Sequence, residues 1–187
     1  MVKALEAGVR FFQYRNKTGT RNTIYQTALS LTSKARDAGA LLILNDHADI
    51  ARATHADGVH LGQDDFPLEQ ARAMLGTRML IGVSTHSLEQ AKSAQAAGAD
   101  YIGFGPIFPT STKDAGKTQG LQALTTLTHS ITVPVIAIGG INHANVRDAV
   151  RTGADGIAVI SAILSAEDIP AAAGEMLKLI SDVRRVE

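Results

Sequence analysis

Thr152-Gly-Ala-Asp-Gly-Ile-Ala-Val159 is the stretch that decides the fold, because versions of it recur along the chain. Ala97-Gly-Ala-Asp-Tyr-Ile-Gly-Phe104 repeats it, Thr54-His-Ala-Asp-Gly-Val-His-Leu61 keeps its Ala-Asp step, and Glu6-Ala-Gly-Val-Arg-Phe-Phe12 is a looser copy. Each time an amphipathic run ends near a small residue, and a short β-branched or aromatic stretch begins. Glycine past the last helical turn supplies a left-handed cap, and a strand follows at once. Three more apolar stretches fall between these copies: Leu41-Leu-Ile-Leu44, Met79-Leu-Ile-Gly-Val83 and Pro134-Val-Ile-Ala-Ile138. The intervals read as helices, for example Leu88 to Ala97 and Asn142 to Thr152. Strand and helix alternating across short loops is the pattern of a parallel sheet buried under helices.

The reading yields seven strands, near 9–15, 41–45, 57–61, 79–83, 100–105, 134–139 and 155–160. A (β/α)8 TIM barrel has eight. The chain opens in what reads as a helix that should follow a strand. The expectation is therefore an α/β TIM barrel lacking its first strand in this chain, with an open doubly wound sheet as the competitor. Regular strand spacing and polar residues at the strand ends favour the barrel. No linker or low-complexity tract divides the sequence, so residues 1–187 read as one domain.

Composition narrows the function. Of the 187 residues, 45% are hydrophobic, enough for a sizeable core and too many for a disordered chain. Eighteen Lys and Arg balance 18 Asp and Glu, which disfavours a broad nucleic-acid or anionic-membrane surface but not a local phosphate site. Cysteine is absent, excluding disulfides and thiolate chemistry. With neither a leader-like apolar region nor a membrane-length apolar run, the expected location is the cytoplasm. Aromatic residues make up 4%, too few for base-stacking platforms.

Barrel chemistry sits at the C-terminal ends of strands. The first such end is Gln13-Tyr-Arg-Asn-Lys17, where alternation puts Gln13, Arg15 and Lys17 on one side. Two cations and an amide suit an oxyanion such as pyrophosphate, against the plainer reading of a solvated strand end. The second end, Asn45-Asp46, reads on its own as a helix cap. The third is His60-Leu-Gly-Gln-Asp-Asp65; His60 and Gly62 share a face, placing the imidazole near the mouth with open space beside it. Asp46 and Asp65 lie on adjacent strand ends, and two carboxylates from neighbouring loops can hold Mg²⁺ beside a pyrophosphate.

At the fourth end, Gly82-Val-Ser-Thr-His-Ser87, Ser84 is placed to donate to a phosphate, whereas Ser87 with Gln90 reads as a capping pair. A Ser-His nucleophile is discounted because no strained Gly-x-Ser-x-Gly elbow surrounds it. The fifth end, Gly103-Phe-Gly-Pro-Ile-Phe-Pro-Thr-Ser-Thr-Lys113, opens a long polar loop reaching about Gly120. Gly103 and Gly105 on one face leave room for a ligand; Thr110, Thr112 and Lys113 offer hydroxyls and a charge. Gly139-Gly140 and Ile160-Ser161 end the last two strands, where barrels often bind phosphate through backbone N–H groups.

The ordered set of these motifs resembles the thiamine-phosphate synthase family from residue 1 to about residue 180. The resemblance implies a transferase joining a pyrimidine-methyl pyrophosphate to a thiazole phosphate, giving thiamine phosphate and pyrophosphate. It implies that Gln13, Arg15, Lys17, Asn45, Ser84 and Lys113 bind the pyrimidine substrate and its pyrophosphate, with His60 beside them. Asp46 and Asp65 would ligate Mg²⁺. Thr110 and Thr112, with the backbone around Gly140, Ile160 and Ser161, would hold the thiazole phosphate. The partners implied are these small molecules, with no nucleic acid or membrane, and a homo-oligomer is compatible with the sequence. One departure is Asn16, where the family usually has Glu between the Arg and the Lys. Two competitors are a thiazole tautomerase of the same fold, using a His near position 86, and a non-catalytic thiazole-phosphate-binding remnant. The carboxylate pair and the Thr-Ser-Thr-Lys loop favour the synthase, since a tautomerase needs neither metal nor pyrophosphate site.

Overall fold

The computed structural model describes residues 1–110 and 117–185. The elements, in chain order, are α1 (Val2–Glu6), β1 (Phe11–Tyr14), α2 (Arg21–Asp37), β2 (Leu41–Asn45), α3 (Ala48–Ala53), β3 (Gly58–Leu61), α4 (Leu68–Leu75), β4 (Leu80–Thr85), α5 (Leu88–Ala96) and β5 (Tyr101–Phe104). They continue with α6 (Gly120–Thr128), β6 (Val135–Ile138), α7 (Val146–Arg151), β7 (Gly156–Ala158), α8 (Ser161–Leu164) and α9 (Ile169–Arg184). All seven strands stand in one parallel sheet in sequence order, β1 through β7, with no pairing between β1 and β7. The expected strands are all present, and the sheet curls as a TIM-barrel-type wall open between its two edges. The last helix, α9, packs on both α7 and α1, so helices reach across that opening.

The recurring phrase builds the sheet's lower rim. In three of its copies the Asp backbone N–H donates to one residue of the preceding strand, whose own N–H donates back to the Asp carboxylate. Asp57 does this with Leu42, Asp100 with Ile81 and Asp155 with Val135, the carboxylate bonds being 2.7, 2.7 and 2.8 Å. These clamps tie β2 to β3, β4 to β5 and β6 to β7. Each charge-assisted bond, partly open to water, contributes on the order of 1–2 kcal/mol. Arg10 stands at the same place in the first copy and instead donates to the carbonyls of Leu5 and Val9. Each copy carries the left-handed cap two residues before its Asp or Arg: Gly8, Gly98 and Gly153 have φ of 101°, 91° and 85°, and His55 takes the position at 53°.

Alternation along the strands separates two environments. Residues facing the helices form two apolar clusters. One joins Leu42, Leu44, Val59, Leu61 and Ile81 to Ile24, Ala28 and Ala35 of α2 and to Ala51 and Ala71. The other joins Val83, Ile102, Phe104, Val135 and Ala137 to Leu124, Leu127, Val146 and Met176. The boundary runs through β4, which gives Ile81 to one cluster and Val83 to the other. Helix α2 shows why these segments become helices: Thr20 caps it by accepting from the Thr23 N–H, and its buried residues, Ile24, Ala28, Thr32 and Ala35, recur at helical spacing. The opposite alternation places Gln13, Asn45, His60, Ser84 and Gly103 inside the curl.

Candidate active site

The first half of the mouth is built from side chains. Lys17, just beyond β1, forms an ion pair with Asp46, which follows β2 with a φ of 67°. Asp46 is in hydrogen-bond contact with Asp65. Asp65 accepts from the Gly62 N–H at 2.7 Å. Neither Asp caps a helix: α3 and α4 begin at His47 and Pro67 with no side-chain cap. The plainer reading of Asp46 as a helix cap is thus replaced by a carboxylate pair with a cation on it. Burial raises both carboxyls. For Asp46 this is outweighed by its hydrogen bonds from Asp65 and Lys17, leaving it below the ordinary carboxylate range. For Asp65, burial and the neighbouring Asp46 act together and leave it above that range.

Two partly buried carboxylates in contact are a donor set that fits Mg²⁺, a hard cation that takes one or two carboxylates and completes its shell with water and phosphate oxygens. Among the described residues no three His, Asp or Glu gather as a metal cage, so a metal held by the pair would complete its shell with water or ligand oxygens. Gln13 and Asn45 project into the same mouth from β1 and β2, Asn45 lying opposite His60 in the ladder. Arg15 is exposed and, among the described residues, makes no hydrogen bond or ion pair, leaving its guanidinium available to an anion. Asn16 holds the turn that carries Lys17, its Oδ1 accepting from the N–H groups of Thr18 and Gly19 while its Nδ2 donates to Tyr14 Oη.

The second half is a cavity of about 820 Å³ at the ends of β4 to β7. Ser84, Thr110, Gly140, Ile160 and Ser161 all line it, so five of the sequence-derived site residues converge there. Its lining combines the Gly139-Gly140 turn with side chains that include His86 and Lys117. Gly139 and Gly140 have φ of 95° and 68°, and a Cβ on Gly140 would stand 2.5 Å from the Pro109 carbonyl oxygen. The turn is braced by Asn145, whose Nδ2 donates to the Gly140 carbonyl at 3.0 Å. Thr112 and Lys113 lie outside the described residues.

Between the halves sits a buried chain of polar groups. His60, 7% exposed, faces Tyr101 Oη through Nδ1 at 3.0 Å and Ser84 Oγ through Nε2 at 2.7 Å. The open space expected beside His60 is filled: Asp65 Oδ2 lies 2.9 Å from where a Gly62 Cβ would be. Likewise Gly103 and Gly105 make room for protein as well as for the cavity, since added Cβ atoms would meet His60 Cε1 at 3.0 Å and the Ile138 carbonyl oxygen at 2.1 Å. Ser87 caps α5 as expected, accepting from Gln90 N–H, while Gln90 Oε1 accepts from His86 N–H. Sequence reasoning passed over Tyr101 and Gln63, whose Nε2 donates to the Ser84 carbonyl at 2.7 Å. A polar-tipped aromatic at an inward strand position was the available signal for Tyr101.

A curled parallel βα sheet with a carboxylate–lysine cluster and a cavity at the C-terminal ends of its strands has the layout of a TIM-barrel-type enzyme. The family model described as thiamine monophosphate synthase matches residues 1–163. A thiamine-phosphate synthase from Chloroflexus aurantiacus is 47% identical over 179 residues, covering 95% of this chain and 82% of that one. The solved thiamine phosphate pyrophosphorylase from Pyrococcus furiosus is 42% identical, with a TM-score of 0.91 over 97% of this chain and 87% of that one. The chain belongs to the thiamine monophosphate synthase family. A 3-hexulose-6-phosphate synthase from Salmonella typhimurium, 18% identical with a TM-score of 0.74 over 98% of this chain and 91% of that one, shares the fold alone.

Proposed function

We propose that this chain is a transferase of thiamine biosynthesis that joins an aminopyrimidine-methyl pyrophosphate to a thiazole phosphate. The products are thiamine phosphate and pyrophosphate. The observation that carries the reading is the division of one mouth into a half with paired carboxylates, at Lys17, Asp46 and Asp65, and a cavity half with no carboxylate among the described residues of its lining, at Gly140, Ser161 and Lys117. Two substrates bearing different phosphates need two such sites.

The leaving group departs from a carbon attached to an amino-substituted ring that can delocalise positive charge, so departure can run ahead of attack. Lys17 and Arg15, with Lys113 from the loop beyond Thr110, balance negative charge growing on the pyrophosphate. Asp46 and Asp65 would hold Mg²⁺, which when bound supplies further charge neutralisation on the same oxygens. Gln13 and Asn45 reach the pyrimidine side, and Ser84 spans both substrates from the strand between them. Gly140, Ile160 and Ser161 fix the thiazole phosphate by N–H and hydroxyl donors, and the hydroxyls of Thr110 and Thr112 are proposed to add to them. Attack by the thiazole nitrogen on a cation it already faces is then chiefly positioning. No protein nucleophile is required.

The test mixes the purified chain with both substrates and Mg²⁺ and detects thiamine phosphate by oxidation to fluorescent thiochrome. Product that disappears on chelation and returns with Mg²⁺ is expected. A folded sample that binds thiazole phosphate yet forms no product would overturn the transferase reading in favour of a binding protein.

A further inference from the structure

Tyr101 is held too firmly to be core filler alone. It enters the curl at the start of β5 and is 6% exposed. Its ring lies over Gly82, where a Cβ would come within 2.0 Å of the ring Cζ, so glycine is what admits it. Phe11, from the opposite wall on β1, meets it edge-on with centroids 5.7 Å apart and planes at 88°. The hydroxyl at the end of this fixed ring has one hydrogen-bond partner among the described residues, His60 Nδ1.

A neutral imidazole carries one proton, and the chain Tyr101–His60–Ser84 can be wired in two directions. In one, the phenol donates to Nδ1, and Nε2–H donates to Ser84 Oγ. In the other, Nδ1–H donates to the phenol oxygen and Ser84 donates to Nε2. The second wiring leaves the phenol proton buried with no acceptor, at the full desolvation cost of an unpaired donor. Burial, followed by the charge of Asp100, also holds the phenol far above its ordinary pKa, so it keeps that proton.

We infer that Tyr101 sets the hydrogen-bond polarity of Ser84 through His60. The phenol donates to Nδ1, the imidazole carries its proton on Nε2 and donates to Ser84 Oγ, and the serine proton is turned into the cavity as a donor to a ligand oxyanion. Tyr101 is thus a positioning residue that never touches substrate through its hydroxyl. The ligand half of this inference rests on the proposed role of Ser84 toward pyrophosphate; the wiring does not.

Two-bond ¹H–¹⁵N correlation on the whole chain reads the His60 tautomer directly. The Nε2–H form is expected in the wild type and a mixture with Nδ1–H in Tyr101→Phe, which keeps the ring and loses only the donor. An Nδ1–H wild type, or a tautomer unchanged in Tyr101→Phe, would overturn the wiring. Titration with inorganic pyrophosphate and Mg²⁺ then tests the consequence. Tyr101→Phe and Ser84→Ala are each expected to weaken binding about tenfold, and the double variant no more than either alone. Additive losses would reduce Tyr101 to packing, and no loss in Ser84→Ala would remove the oxyanion role. If thiochrome never forms while the tautomers behave as expected, the transferase reading fails and the relay stands.

Discussion

The two halves of the mouth, each proposed to hold a phosphate, are built from different parts. The β1–β3 half uses charged side chains: Lys17 pairs with Asp46, and burial together with Asp46 holds the Asp65 carboxyl above its ordinary range. The β5–β7 half uses a cavity shaped by the Gly139-Gly140 turn, which Asn145 braces, with Lys117 on its lining. Each half backs onto its own apolar cluster, and β4, carrying Ser84, is shared by both. On the proposed function, the difference teaches that a departing pyrophosphate calls for charged side chains, whereas a phosphate that takes no part in the chemistry calls for a fixed, shaped cavity that costs little reorganisation.

Substitutions that damage one half and spare the other put this division at risk. Asp65→Ala carries the largest expected effect, a fall in Mg²⁺-dependent turnover of about a thousandfold. Thiazole phosphate binding and the unfolding midpoint should stay close to wild type. Parallel loss of thiazole phosphate binding, seen by calorimetry, would merge the two halves into one. Gly140→Ala attacks the other side: its φ of 68° and the nearby Pro109 and Phe108 oxygens leave no place for a methyl group. We expect about a hundredfold weaker thiazole phosphate binding and a stability loss of roughly 1–3 kcal/mol. Pyrophosphate affinity should be retained, and equal losses for both ligands would break the comparison. Ser161→Ala should be mildest, raising KM for thiazole phosphate about tenfold while kcat and pyrophosphate inhibition barely move. A kcat effect as large as the KM effect would place Ser161 on the reacting side.

Sequence pattern exposed one half better than the other, for the same physical reason. Asp46 alone reads as a helix cap and Lys17 as a strand-end charge, but Asp46 and Asp65 on adjacent strand ends together point to a metal, because the pairing is legible in the strand order. The glycine turn is visible only as residue type; what it does depends on a left-handed backbone and an Asn five residues on. The seven strands were legible because buried parallel strands are continuous apolar runs. The function of the repeated Asp was not: Ala-Asp before a strand shows no hint that the carboxylate grips the preceding strand. Tyr101 was hidden in the same way, as one aromatic among core positions until the fold brought it 3.0 Å from His60.

Those three clamped strand pairs give the molecule a modular construction. Each module holds itself together at its lower rim by a reciprocal grip between neighbours. Chain breaks made between modules, in the connections after β3 or β5, leave every grip intact, whereas a break between β4 and β5 separates its two partners. Fragments divided at the first kind of position should therefore reassemble more readily than fragments divided at the second. By the same token, module boundaries are where such a chain tolerates shuffling, and where a loop over the mouth can be exchanged without loosening the wall beneath it.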